Sequence, residues 1–481
     1  MLLKKRIQIF AGLVVSALAF TTCNKKWDDH NAITDAAVAN NLYQNISKTA
    51  GLSKFSQYLV ATGYDKIIAG SKTYTVWAPN DAALASLDPA IVLDTAKLKL
   101  FVGNHISNQS YLSGGADQRV AMLNGKYNRI GGSTFDSANI VTANLYAANG
   151  IYHVIDKFIP RYDNCWEFMK NSSASPLQKA YFLSQDYNFF DASIATQTGV
   201  NSLGFPVYDT ASGTVKKNHF LEDVLDVNDE KNQYTLILMN DASFTTEYNK
   251  LSPWFKTGTV DSTNKLTSFW LTKDLVFKGA FAFAQLPDTL LSVSGVKVPI
   301  NKPSIIASYK TSNGWVHVMS KVDFTLTYKF PPIYIQGETP TSFATTDRSA
   351  NTFYRVRYNP VTAQNFSDIL MQNYNYANYF IKYLVRNVAS MRYNAFWVAV
   401  NDVQTTPLWQ QRLAIDSSNS AATNLPFVTV AYQNYNEVSL GQLNITNYRN
   451  VNLFVMGPTT ASSSGGNNSI VVDYIKLVPA F

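Results

Sequence analysis

Chemistry in this chain would have to come from histidines, cysteines or paired carboxylates, and the first two are scarce: five His and two Cys in 481 residues. Two of the histidines stand out by context. His153 and His317 each follow an Asn-Gly pair, in NGIYHVIDK and NGWVHVMSK. A histidine so placed could ligate a metal or move a proton. No second His, Cys or Glu lies at ligand spacing beside either one, so a metal is not expected there. The expectation is a semi-buried imidazole hydrogen-bonded to backbone. The 33 Asp and Glu are scattered, and no pair stands out as the acid and nucleophile of a glycosidase. A Gly-rich phosphate loop, a Gly-x-Ser-x-Gly elbow and a His-Glu-x-x-His motif are all absent. The sequence therefore points to a non-enzymatic chain with no catalytic residue, no metal and no cofactor.

The first cysteine belongs to a different chemistry. Residues 1–6 (MLLKKR) are basic, and residues 7–20 form an uncharged apolar run of 14. That is shorter than the roughly 20 residues of a stable spanning helix and suits a signal peptide. Cys23 follows directly in FTTC, which resembles the lipobox of bacterial lipoproteins, with Phe20 and Thr22 where that motif has Leu and a small residue. The resemblance implies removal of 1–22, acylation of Cys23 and a linker over 23–39. The alternative is an ordinary secretory signal cut near Ala19. Acyl chains would anchor the chain with about 0.8 kcal/mol per buried methylene. The following NKKWDDHN resembles the charged signals that send Bacteroidota lipoproteins to the outer face of the outer membrane, although a solvated linker has the same pattern. With Cys23 committed to acylation, the two cysteines build no disulfide framework. Beside Trp166, Cys165 reads as a small, half-buried hydrophobe.

Composition fits the same setting. Apolar residues make up 46% of the chain and charged residues only 15%, while Tyr and Phe number 28 each. This is the material of β-rich modules rather than of a charged helical protein, and the length predicts about three domains. The formal charge is +7; losing Lys4, Lys5 and Arg6 with the leader leaves 37 basic against 33 acidic residues, or +4. So small and dispersed a charge excludes a nucleic-acid footprint.

An internal repeat organises the first two thirds. YTVWAPNDAALASL begins at Tyr74 and is echoed by YTLILMNDASF at Tyr234, an offset of 160; NGIYHVIDK at Asn149 is echoed by NGWVHVMSK at Asn313, an offset of 164. Each first block reads as a strand followed by an Asn-Asp helix start, Asn80-Asp81 and Asn240-Asp241. Each second block reads as a tight Asn-Gly hairpin and an alternating strand. These blocks, with LKLFVGNHIS at 98–107 between them in the first copy, resemble the fasciclin domain. The second copy departs from the pattern, with Leu238-Met239 and Ser320 in place of the Ala-Pro and Asp of the first, and insertions are expected near 199–227. The resemblance implies two fasciclin-like α+β domains, over 40–162 and, in degenerate form, 163–330, with adhesion or binding rather than catalysis as their role.

From residue 331 the texture changes to short strand-like runs separated by turn-rich stretches, which reads as a β-sandwich or jelly roll over 331–481. The opening IYIQGETPTSF with Glu338, the run FWVAVND at 396–402 and the closing NNSIVVDYIKLVP resemble galactose-binding-like jelly rolls of carbohydrate-binding modules. That resemblance implies stacking of a sugar ring on an aromatic plane, with Trp409, Tyr435 and Asn468 as ligand-binding residues and Tyr374 and Tyr376 as further loop positions. The aromatics of the strands themselves read as core. Two functions follow. One is a glycan-binding surface lipoprotein of the cell outer membrane, accessory to a glycan importer. The other is a structural or adhesive protein whose fasciclin-like pair contacts proteins or matrix. A periplasm-facing lipoprotein is a third option.

Overall fold

A computed structural model describes residues 38–344, 349–372, 374, 377–418, 424–459 and 468–481. The leader, Cys23 and most of the 23–39 linker lie outside the described residues. The chain divides into two compact units. The first comprises the chain up to Asn164 together with Asp229–Asn232 and Thr311–Asn313; the second comprises Cys165–Asn228, Gln233–Lys310 and Gly314–Phe481. The degenerate second repeat and the C-terminal sandwich thus fall within one unit.

The first unit is built around a seven-stranded sheet. Next to one edge of it, the fully buried strand Tyr74–Pro79 pairs in parallel with Gly150–Ile155. Gly150 sits at φ +151°, and a Cβ there would come 2.0 Å from the Tyr74 carbonyl oxygen, so the Asn-Gly turn requires its glycine for contact as well as for conformation. The Asn-Asp pair serves two helical starts at once. Asn80 Oδ1 accepts from the Ala83 N–H at 2.7 Å, opening the short 3-10 turn Ala83–Ser86. Asp81 accepts from the N–H groups of Ser53 (3.2 Å) and Lys54 (2.8 Å), capping the helix Ser53–Thr62. Beneath the sheet Trp77 stacks on Phe135 with ring centroids 4.4 Å apart. The segments 229–232 and 311–313 join this unit through charge: Glu230 Oε1 accepts from Lys126 Nζ and from Ser312 Oγ (2.9 Å), and Arg119 donates to the carbonyls of Glu230 (2.9 Å) and Ser312 (3.2 Å).

The second copy repeats the register of this parallel strand pair. Tyr234–Met239 runs parallel to Gly314–Met319 with Tyr234 opposite Gly314, as Tyr74 is opposite Gly150. Gly314 again has φ +151°, and a Cβ would meet the Tyr234 carbonyl oxygen at 1.8 Å. Asn240 Oδ1 accepts from the Ser243 N–H (2.9 Å), here opening the full helix Asp241–Leu251. Asp241 Oδ1 accepts from the Leu177 N–H (3.0 Å) at the start of Pro176–Ser184, the role Asp81 plays in the first copy. The insertion forms two small sheets, Asp186–Phe190 with Thr214–Asn218 and Gln197–Val200 with Pro206–Tyr208. Cys165 is fully buried rather than half-buried, its Sγ 3.8 Å from the Trp315 carbonyl oxygen.

The rest of the second unit is a sandwich of a four-stranded and a five-stranded sheet, with a further three-stranded sheet. The opening strand Ile333–Gln336 pairs antiparallel with the closing strand Tyr474–Ala480. Inward residues of the two main sheets, among them Tyr383, Leu453, Tyr393, Trp397 and Ile475, form its core. The sequence runs SIVVDYIKLVP without a turn signal, yet Asp473 divides it: Ile470–Val472 joins the three-stranded sheet and Tyr474–Ala480 the four-stranded one. Among the described residues no helix is long and apolar enough to cross a membrane.

Candidate ligand-binding surface

The equivalent histidines are held in equivalent ways. His153 Nε2 donates to the Tyr111 carbonyl (2.9 Å) while its Nδ1 accepts from the Asn144 N–H (3.2 Å). His317 Nε2 donates to the Phe281 carbonyl (2.9 Å) while Nδ1 meets the Ser308 hydroxyl at 2.7 Å. Burial lowers both pKa values. Both rings are fully buried, with both nitrogens engaged, so neither can ligate or transfer a proton to a solute. Among the described residues no group of three His, Cys, Asp or Glu could hold a metal ion.

The expected sugar-binding loop residues need correction. Trp409 is 2% exposed and belongs to the sandwich core, so neither ring face is available for stacking. Asn468 is 1% exposed, with its amide directed at the Tyr374 carbonyl (3.4 Å). Tyr374 is itself buried and stacked on Tyr379 at 4.5 Å; Tyr376 lies outside the described residues. Among the described ones Tyr435 reaches the surface, half-buried, with its ring perpendicular to Phe366 at 6.2 Å. An aromatic in a turn-rich stretch reads the same in sequence whether it closes the core or faces water.

The structure instead presents aromatic side chains on the hairpin of Thr352–Asn359 and Gln364–Met371. One face of this hairpin is pinned. Arg355 makes a bidentate pair with Asp368 (2.8 and 2.7 Å) and reaches Asp402 (3.0 Å); Arg357 contacts Asp368 (2.9 Å), Asp402 (3.0 Å) and the Val400 carbonyl (3.0 Å). Two guanidinium forks on two carboxylates form a planar, geometrically specific lock. Alternation then turns Tyr354, Val356 and Tyr358 to the other face, where they are 59%, 77% and 58% exposed. The strand aromatics Tyr354 and Tyr358 are therefore surface, not core. They stand about 13 Å apart along the strand. Asn365 lies opposite Tyr358 and Ser367 opposite Val356, which adds an amide and a hydroxyl to the same face. Rigid aromatic planes with hydrogen-bonding groups between them suit a ligand with an apolar face and many hydroxyls.

Two further features border this picture. Asp473, 8% exposed, has its pKa pushed up to about 7 by burial, and then by the neighbouring charges of Asp368 and Glu338, against the opposing pull of Arg357. In the insertion, the small hairpin around 197–208 exposes Val200, Leu203, Phe205 and Val207, with Leu203 at 79%. Such an apolar cluster marks a contact surface more often than a solvated loop.

Comparison with known proteins bears on these units. Residues 50–160 match the family model of the fasciclin domain. No curated protein matches the chain. Among solved structures, the fasciclin-domain pair of the insect cell adhesion molecule Fasciclin I aligns at 12% identity and a TM-score of 0.23, covering 58% of this chain and 99% of that one. A family 35 carbohydrate-binding module from Clostridium thermocellum aligns at 18% identity and a TM-score of 0.22, covering 31% of this chain and 100% of that one. A family 36 module of a xylanase from the hindgut metagenome of Trinervitermes trinervoides aligns at 14% identity and a TM-score of 0.21, covering 31% and 98%. The chain thus carries a fasciclin domain followed by β-rich regions, in a mixed α+β, multi-sheet architecture.

Proposed function

We propose that this protein is a non-enzymatic surface lipoprotein that binds glycan through the open face of its 352–371 hairpin. The observation that carries the reading is the exposed Tyr354, Val356 and Tyr358 face, whose reverse is locked by Arg355 and Arg357 onto Asp368 and Asp402. Acylation of Cys23 would fix the chain to the outer membrane with this face turned outward, as an accessory of a glycan importer and its surface lipoprotein. Migration through gels containing polysaccharide tests the binding. The wild type should be retarded by its cognate glycan, and the double variant Tyr354→Ala/Tyr358→Ala should not be; equal retardation of both would remove the hairpin from the account. Protease shaving of whole cells tests the location: loss of the protein supports an outward-facing chain and survival supports the periplasmic alternative. Cys23→Ser should release the chain from membranes. Co-purification from gently solubilised outer membranes tests the importer, which should appear in near-equal amount.

A second reading rests on the fasciclin match over 50–160 and on the apolar 197–208 hairpin. In it the protein is adhesive and docks a protein partner through Leu203 and Phe205. Leu203→Ser/Phe205→Ser would then abolish partner capture while leaving retardation by polysaccharide unchanged.

A further inference from the structure

The second unit contains a cleft of about 470 Å³, within the usual range of small-molecule sites. Its walls combine aromatic rings with an uneven set of charges. Lys329, on the short helix Leu326–Lys329, is fully buried at its side chain; its Nζ pairs with Asp274 Oδ2 and donates to the Trp270 carbonyl. Lys273, at the end of the helix Val260–Thr272, donates to Ser294 Oγ (2.8 Å) and lies 3.4 Å from Asp274 Oδ1. The Lys273 ammonium is also 4.2 Å from the Trp270 ring centroid. Asp274 is fully buried and accepts in addition from Ser292 Oγ (2.8 Å) and Ser294 Oγ.

Two ammonium groups therefore share one carboxylate whose oxygens are already engaged. The next acid, Glu247, is not in the cleft lining; it accepts from the Phe324 N–H (3.3 Å) and lies 3.6 Å from Lys250, which also pairs with Asp323 (3.0 Å), so the lining itself sets Lys273 and Lys329 against Asp274. One positive charge is left in excess in a largely desolvated wall. Such a charge is costly to hold there, and an incoming anion would relieve the cost. Burial depresses both amines from the usual lysine range, Lys329 to about 8. At the rim, the half-exposed Tyr328 has Lys297 Nζ 5.4 Å from its ring centroid. Tyr448, also in the lining, adds a second phenol.

We propose that this cleft binds a carboxylate carried on a sugar-sized ring, the chemistry of a hexuronic acid residue. The carboxylate meets the Lys273 ammonium and the ring body lies against Tyr328 and Tyr448. One excess positive charge matches a carboxylate of charge −1 better than a phosphate ester of about −1.5 to −2. The site is separate from the hairpin face and does not depend on it.

Calorimetric titration of the purified full-length mature chain at pH 7 tests the proposal, with D-glucuronate, D-glucose, acetate and inorganic phosphate as probes. Glucuronate should bind at least tenfold more tightly than each of the other three. Lys273→Gln, which removes the charge and can still hydrogen-bond Ser294, should weaken glucuronate at least tenfold. Tyr328→Ala should weaken it several-fold, and this exposed position decides the matter if Lys273→Gln does not fold. Tyr354→Ala/Tyr358→Ala should bind glucuronate as the wild type does, so failure of the hairpin reading is distinguishable from failure of this one. Equal binding of glucose and glucuronate, equal binding of acetate, tighter binding of phosphate, or no response to folded variants would each overturn the assignment.

Discussion

Asp473→Asn is expected to stabilise the protein, and only at neutral and alkaline pH. Asp473 sits where Ile470–Val472 hands over to Tyr474–Ala480, 8% exposed, with Asp368 and Glu338 close enough to oppose its ionisation. Its folded pKa of about 7 lies above the ordinary aspartate value of 3.8. Between these limits the folded state holds a proton that the unfolded chain has released, so the group's contribution falls as pH rises. Its contribution is whole below about pH 4 and lost above pH 7. At 1.36 kcal/mol per unit, a shift of about three units corresponds to about 4 kcal/mol. Asparagine has nearly the same shape and no charge, so it removes the penalty. Urea unfolding of wild type and variant at pH 4.5 and pH 8, in EDTA so that only protons compete for the carboxylate, measures the difference. The variant should lie within about 1 kcal/mol of the wild type at pH 4.5 and exceed it by about 2–4 kcal/mol at pH 8. A difference that is the same at both pH values, or a variant less stable at pH 8, would refute the reasoning, because either result would mean that Asp473 is paired and ionised in the folded state.

Three other perturbations have definite outcomes. Gly314→Ala places a Cβ 1.8 Å from the Tyr234 carbonyl oxygen at φ +151°, and should destabilise the second unit by about 3 kcal/mol or more in calorimetry; Gly150→Ala should do the same to the first unit. Lys126→Met strips Glu230 of its buried ammonium partner and should cost the first unit about 3 kcal/mol, while the double variant with Glu230→Gln should recover part of it. His105 is fully buried, its pKa lowered to about 4 by burial, so the unfolded state takes up the proton first as pH falls. Stability is whole above about pH 6.5 and declines toward pH 4, by about 3 kcal/mol from this group, and unfolding curves of His105→Gln should lack that portion of the acid slope.

The repeat was legible because its signals are local and chemical. Asn-Gly reports a turn that only glycine tolerates, and Asn80-Asp81 and Asn240-Asp241 report caps that any homologous strand-to-helix junction needs. What the sequence concealed was partnership at a distance. In TFYRVRY the alternation of Tyr and Val with Arg reads as apolar inside and basic outside. The structure has the reverse, because Asp368 and Asp402 draw Arg355 and Arg357 inward, and a carboxylate found only in the fold decides which face is buried. Trp409 and Asn468 failed as ligand residues for the complementary reason: flanking polarity does not report burial. The strands Gln364–Met371 and Gln410–Ile415 escaped notice because their first halves are mostly polar, with Phe366 the one strand-forming residue among them. The split at Asp473 has no local signal, since a single buried Asp can sit in a continuous apolar run.

The central claim, that this is a glycan-binding chain whose contact face is the 352–371 hairpin, is tested most directly on a glycan array. The mature chain without its lipid would be applied beside Tyr354→Ala/Tyr358→Ala over plant, host and microbial glycans. The account predicts that the wild type retains at least one neutral glycan class that the double variant loses while keeping its thermal transition. Retention of no glycan by the wild type, or identical retention by both, would contradict it.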